Sequence, residues 1–200
     1  MKDKLKTASL WIIVLCVVIW ALQFIAFKFG IMQDLTYNLA LSWEGIKEMK
    51  YWQFVTNIFS HHPTNVIHIM FNMIGVWYLG MALENVIGWR KYLMFMIVCG
   101  VIANASWLLF NPAGWLVGLS GAVYGLFGGI IALDYKNKID VFGAFKLDAY
   151  VLGLMIVGYE VVSILLRISM GVANSVHIVG LIIGFLLIKF IWKKPTNEKN

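Results

Sequence analysis

Apolar residues gather along this chain into long runs, with polar residues held in short clusters between them. A helix needs about twenty apolar residues to cross the hydrocarbon core of a bilayer. By that measure six runs predict membrane-crossing helices, at approximately 8-28, 66-84, 90-110, 116-134, 147-168 and 173-192. The third and fourth are separated by little more than the turn signal NPAGW. No internal repeat or low-complexity tract interrupts the pattern, so residues 1-200 read as one domain, an all-α integral membrane protein with six transmembrane helices.

The connection from about 30 to 65 is the exception in length. It mixes Trp43, Tyr51, Trp52, Phe54 and Phe59 with Glu44, Lys47, Glu48 and Lys50, the composition of a segment lying at the membrane interface. The N-terminus begins like a signal peptide. Its apolar run exceeds a signal core and lacks a small-x-small cleavage site, so it reads as a retained first span.

Composition sharpens the class: 61% of the 200 residues are hydrophobic and 13% charged, with a mean hydropathy of +0.81. A net charge of +6 excludes little by itself, but the basic residues flank apolar runs and form no stripe that could follow a nucleic-acid backbone. Of the Lys and Arg residues, Lys28, Lys47, Lys50 and Arg167 fall on one side of the predicted topology. The other side holds Lys2, Lys4, Lys6, Arg90, Lys91, Lys136, Lys138, Lys146, Lys189, Lys193, Lys194 and Lys199. That asymmetry predicts both termini in the cytoplasm. Cys16 and Cys99 lie inside apolar runs and read as small buried hydrophobes.

Runs two, four and six enter from the outside, and each carries a polar group in its first turn or two: His68, Ser120 and His177. At 1.5 Å rise per residue the three share one depth, roughly 3–8 Å below the outer edge of the core. His68 and Asn72 stand four apart on one helix face, as do Ser120 and Tyr124. Gly121, Gly125 and Gly129 on run four, and Gly180 and Gly184 on run six, form ladders that let helix backbones approach. Such an approach would bring a serine hydroxyl to an imidazole base, the minimum for nucleophilic catalysis. His68, the Asn72 amide and the Ser120 backbone N–H are candidate donors to an oxyanion, with Ser120 near a helix N-terminus.

A lone transmembrane serine is usually a packing residue, but three such groups at one depth favour chemistry over packing. His61 and His62 read as solvated loop histidines; no carboxylate or cysteine completes a metal site with them and His68. Glu84, Arg90 and Lys91 read as capping spans at the inner face and acting as anchors, and Met94 and Met96 as lipid-facing or core packing. Glu160, near the middle of run five, leaves several readings open: protonated, facing a wet cavity, bonded to Tyr159 or a neighbouring helix, or gating.

HIMFNM, GLSGAVYG and HIVGLIIG, in this order, resemble the His-x-x-x-Asn, Gly-x-Ser-Gly and His-x-x-Gly-x-x-x-Gly motifs of the rhomboid intramembrane serine proteases. The resemblance covers roughly residues 10 to 190, and Gly80, Glu84 and Gly88 resemble a further structural motif of that family. It implies a six-helix rhomboid-like bundle with a long interfacial first external loop, and the compact six-span form points to a bacterial inner or plasma membrane. It also implies a Ser-His dyad without an aspartate, cleaving transmembrane substrates near the outer face and needing neither cofactor nor metal. Ser120 would be nucleophile and His177 general base, His68 and Asn72 would line the oxyanion hole, Gly118 would shape the adjoining loop, and Tyr124 would pack on the His177 ring. Partners implied are transmembrane protein substrates and the lipid bilayer, not nucleic acid, with oligomeric state left open. Three positions depart from the family pattern: Gln53 after Trp52 in place of arginine, Pro63 where a histidine is common, and Val176 in place of alanine. The alternatives are an inactive rhomboid-like scaffold that binds membrane helices, and a transport path through His68, His177 and Glu160.

Overall fold

The computed structural model describes residues 7–111, 113–136, 138–141, 145–166 and 173–192. Lys2, Lys4, Lys6, Pro112, Arg167, Lys193, Lys194, Lys199 and the last two positions of the fifth predicted run lie outside the described residues. Helix α1 spans Ala8–Lys28, matching the first run. Three short helices follow in the long connection: α2 (Met32–Leu39), α3 (Trp43–Lys47) and α4 (Gln53–Phe59). The second run is continuous from α5 (Val66–Gly75) through a π turn at Val76–Gly80 into α6 (Met81–Ile87). Next come α7 (Trp89–Phe110), α8 (Ser120–Leu133), α9 (Ala149–Leu165) and α10 (Asn174–Leu186), the last prolonged by a π turn at Leu187–Ile191.

The protein is mostly helical. Among the described residues four stretches, Ala8–Lys28, Val66–Ile87, Trp89–Phe110 and Asn174–Ile191, are long and apolar enough to cross a bilayer, and two shorter apolar helices, Ser120–Leu133 and Ala149–Leu165, accompany them. Large apolar side chains face outward on the peripheral helices, with Trp11 of α1 64% exposed and Leu154 of α9 69% exposed. Water would penalise such surfaces, whereas lipid does not. In a soluble protein the same patches would drive aggregation.

Two expectations need correction. The chain is not purely helical: β1 (Lys138–Val141) and β2 (Phe145–Asp148) pair antiparallel between α8 and α9, with Lys138 opposite Asp148 and an ion pair of 2.5 Å between their side chains. The fourth run is helical from Ser120, not from 116, because Leu116 is held extended by reciprocal backbone bonds of 2.9 Å with Leu41. A 14-residue α8 spans only about 21 Å. Its irregular lead-in is tolerable because α8 is wrapped by protein, most of its residues being buried.

The ladders meet as predicted, with one change of rung. A Cβ on Gly180 would collide with the Gly121 carbonyl, and one on Gly184 with the Gly125 carbonyl, so α8 and α10 touch backbone to backbone. Gly128 rather than Gly129 provides the next rung, abutting the Leu181 carbonyl, while Gly129 faces Phe95, Leu83 and Ile188. On its other side α8 approaches α7, where a Cβ on Gly125 would lie 2.8 Å from Cys99. Cys16 and Cys99 are both free and buried.

Glu84 does cap a span, but as a buried residue rather than an exposed anchor. Its buried carboxylate accepts from the Ala8 and Ser9 backbone N–H groups at 2.7 and 2.9 Å and from the Ser9 hydroxyl at 2.7 Å. An anion at a helix N-terminus satisfies donors that have no intrahelical acceptor and complements the helix dipole. Glu84→Ala is therefore expected to destabilise the protein by about 2–3 kcal/mol through the orphaned donors. Thermal unfolding in detergent checks this, and an unchanged midpoint would count against the tie. Arg90 and Lys91 are exposed, in keeping with an interfacial position.

Candidate active site

Three helix beginnings converge at one end of the bundle. Asn65 caps α5, its side chain accepting from the His68 N–H at 3.0 Å, and thereby starts the helix that carries His68 and Asn72. Ser120 is the first residue of α8, and His177 lies in the first turn of α10. Their side chains, with those of Asn72, Tyr124 and Glu160, line one cavity of about 800 Å³. Apolar residues of α5 and α9, among them Phe71 and Ile156, form other parts of its wall.

Gly118 sets the loop before Ser120. Its φ of +132° is a conformation that residues with a Cβ rarely adopt, and a Cβ there would lie 2.8 Å from the His68 ring. The loop is pinned from below, since the Gly118 N–H donates to the Asn57 carbonyl at 2.9 Å. Asn57 is itself held by the Asn104 amide of α7 and by its own bond to the Gln53 carbonyl at 2.5 Å. At the start of α8, the Ala122 and Val123 N–H groups bond to the Leu119 carbonyl, leaving the Ser120 and Gly121 N–H groups without a backbone acceptor among the described residues.

The Tyr124 ring stacks on His177 with centroids 4.0 Å apart and planes inclined by 10°. Beyond His177 stands Glu160, only 1% exposed, whose Oε1 is 2.7 Å from His177 Nδ1 and accepts from the Tyr124 hydroxyl at 2.9 Å. The Asn174 amide donates to its Oε2 at 2.5 Å. Ser120 and His177 face the same cavity without a direct hydrogen bond among the described residues.

The rhomboid domain model matches residues 48–194. The chain belongs to the rhomboid family. It is 30% identical over 180 residues to proteins called rhomboid protease GlpG in Yersinia pestis and Yersinia pseudotuberculosis, covering 90% of this chain and 60% of each relative. A GlpG of Pectobacterium atrosepticum is 29% identical over 86% of the chain and 61% of the relative. The chain thus spans about 60% of the length of the curated relatives it matches.

Within this rhomboid one motif departure finds a physical explanation, and one loop histidine a different place from that expected. Gln53 is fully buried and braces the first loop, its amide donating to the Tyr37 carbonyl at 2.8 Å and accepting from the Ser42 N–H at 3.3 Å. The close approach needs Gly45, where any Cβ would strike the Gln53 amide. His61 is not a solvated loop histidine: it is fully buried, its ring centroid is 5.4 Å from that of His68, and its backbone N–H donates to Gln23 Oε1 at 2.9 Å. Only His62 of the pair is exposed. Nothing in the spacing distinguished the two.

Burial, with His68 nearby, pushes the His61 imidazole down to about 3. An unfolded histidine titrates near 6.5, so between those values the unfolded state binds the extra proton and stability falls as pH is lowered, by at most about 1.4 kcal/mol per pH unit. Unfolding midpoints at pH 7 and pH 4.5 should therefore diverge more for the wild type than for His61→Phe; equal losses would remove His61 from the account.

Proposed function

We propose that this rhomboid is an intramembrane serine endopeptidase that hydrolyses peptide bonds of transmembrane substrates near the outer face of the membrane. The observation that carries the reading is the convergence of Ser120, His177, His68 and Asn72 on one cavity, with Tyr124 stacked on the imidazole. Ser120 Oγ attacks the scissile carbonyl carbon as its proton passes to His177 Nε2. The oxyanion is met by the Ser120 N–H, the His68 ring and the Asn72 amide, one of whose two hydrogens is already given to the His68 carbonyl at 3.1 Å. His177 then returns the proton to the leaving nitrogen as the C–N bond breaks. Water, deprotonated by the same imidazole, releases the acyl group from Ser120. Gly118 keeps the loop and the His68 ring in register, and Tyr124 holds the ring plane of His177.

The flanking apolar walls from α5 and α9 suit a lipid-embedded chain entering sideways. A helical substrate must open locally before it is cut, because its carbonyls are hydrogen-bonded within the helix. In this reading all six apolar helices cross a bacterial plasma membrane, with both termini cytoplasmic and the shorter α8 and α9 completing the bundle. No cofactor or metal is required by the Ser-His chemistry.

The test is cleavage of a generic single-span substrate in liposomes, with labelling by a fluorophosphonate probe in parallel. Cleavage and labelling that both vanish in Ser120→Ala are the expected result. A wild type that neither cuts several substrates nor takes the label would point instead to a scaffold that binds membrane helices.

A further inference from the structure

The implied chemistry is a dyad, yet the structure places a third group behind the base. We propose that Glu160 is a positioning residue for His177, making a Ser120–His177–Glu160 relay in place of a Ser-His pair. The inference rests on the endopeptidase reading of the same site.

The geometry requires a particular assignment of protons. The Tyr124 hydroxyl and the Asn174 amide both point donors at the Glu160 carboxylate, and the His177 Nδ1 contact of 2.7 Å falls on the oxygen already bonded to Tyr124. An ionised carboxylate accepts only, with room for about four hydrogen bonds, so the three contacts are mutually satisfied when Nδ1 carries the proton. Nε2 is then left with its lone pair, the state a general base needs. As Ser120 loses its proton the imidazole becomes cationic, and a carboxylate fixed against Nδ1 and itself only 1% exposed stabilises that charge. Tyr124 thus has two contacts with one purpose: its ring sets the imidazole plane and its hydroxyl sets the carboxylate.

Burial makes the arrangement demanding. A carboxylate this deep in an apolar bundle is expensive unless its lone pairs are met, and residues of this kind in membrane helices generally face the interior and serve function. Glu160 satisfies the condition by drawing donors from two helices other than its own, Tyr124 from α8 and Asn174 and His177 from α10. Packing alone would be served as well by an apolar side chain in α9.

Glu160→Gln separates positioning from packing, because it keeps shape and removes charge. Its amide group can donate to Nδ1 and trap the tautomer with hydrogen on Nε2, which cannot accept the Ser120 proton. The expected loss is on the order of 10²- to 10⁴-fold in kcat, with KM changed by no more than a few-fold. Glu160→Asp should recover part of the rate. Nitrogen chemical shifts of labelled His177 should report an Nδ1-protonated ring in the wild type and an Nε2-protonated ring in Glu160→Gln, and this readout needs no turnover.

Wild-type kcat and an unchanged tautomer in Glu160→Gln, alongside an inactive Ser120→Ala, would overturn the relay and leave the endopeptidase reading standing. A protein that never cleaves but shows the tautomer switch would keep the Glu160–His177 coupling and overturn the endopeptidase reading. Equal falls in kcat for Glu160→Gln and Glu160→Asp, with lowered unfolding midpoints and no tautomer change, would assign Glu160 to packing.

Discussion

His177→Ala is expected to lower kcat by on the order of 10⁶-fold, and Ser120→Ala to do the same, with the double variant scarcely worse than either. Under the proposed mechanism the effects are not additive because the two residues would act as one unit: without a base a hydroxyl is a poor nucleophile, and without the hydroxyl the base has nothing to activate. Single-turnover cleavage of a reconstituted single-span substrate is the measurement. Additive losses, each of one or two orders of magnitude, would mean that Ser120 and His177 contribute separately to binding and do not share a proton. KM should change little in both variants if the proposed roles of the two side chains lie in the chemical step.

Gly184→Val carries the largest expected effect on stability. Any Cβ at this position would collide with the Gly125 carbonyl, and the obstacle is backbone on both sides, so no rotamer relieves it. Separating α8 from α10 would disturb the contacts of Gly180 with Gly121 and of Gly128 with Leu181 along the same seam. A destabilisation of about 3–5 kcal/mol follows, at the upper end for single substitutions. Activity should fall with stability, because α8 carries Ser120 and α10 carries His177. By contrast Gly158→Val is expected to be well tolerated, since nothing lies within 4 Å of a Cβ there. Unfolding midpoints in detergent for the two variants make the comparison, and similar values would show that the seam adjusts by sliding.

Much of the site was legible because its parts are local in sequence. His68 with Asn72 and Ser120 with Tyr124 are one helical turn apart, and the glycine ladders announce which helices approach closely. The first loop was less legible. In the sequence Gln53 stands only as a departure from the family's arginine, and its bracing role depends on Tyr37, Ser42 and Gly45, which reach it only after three short helices have folded together. His61 and His62 are adjacent and alike in sequence, yet one is buried against His68 and the other faces out.

The sequence by itself determined that the chain is a membrane protein of the rhomboid family, with apolar runs of spanning length and a serine and two histidines near helix beginnings. The runs and the placing of these groups follow from composition and periodicity within single helices, where rise per residue and side-chain direction are set by the backbone, whereas the family was legible only through the resemblance of the three motifs. Only the tertiary structure decided what stands behind each group. Glu84 became the cap of α1, 75 residues distant from Ser9 along the chain. Glu160 became the partner of His177 from a neighbouring helix, 17 residues away. A carboxylate in an apolar run announces that it must find donors, but which donors it finds depends on helix rotation and packing, and these are settled between helices rather than along one.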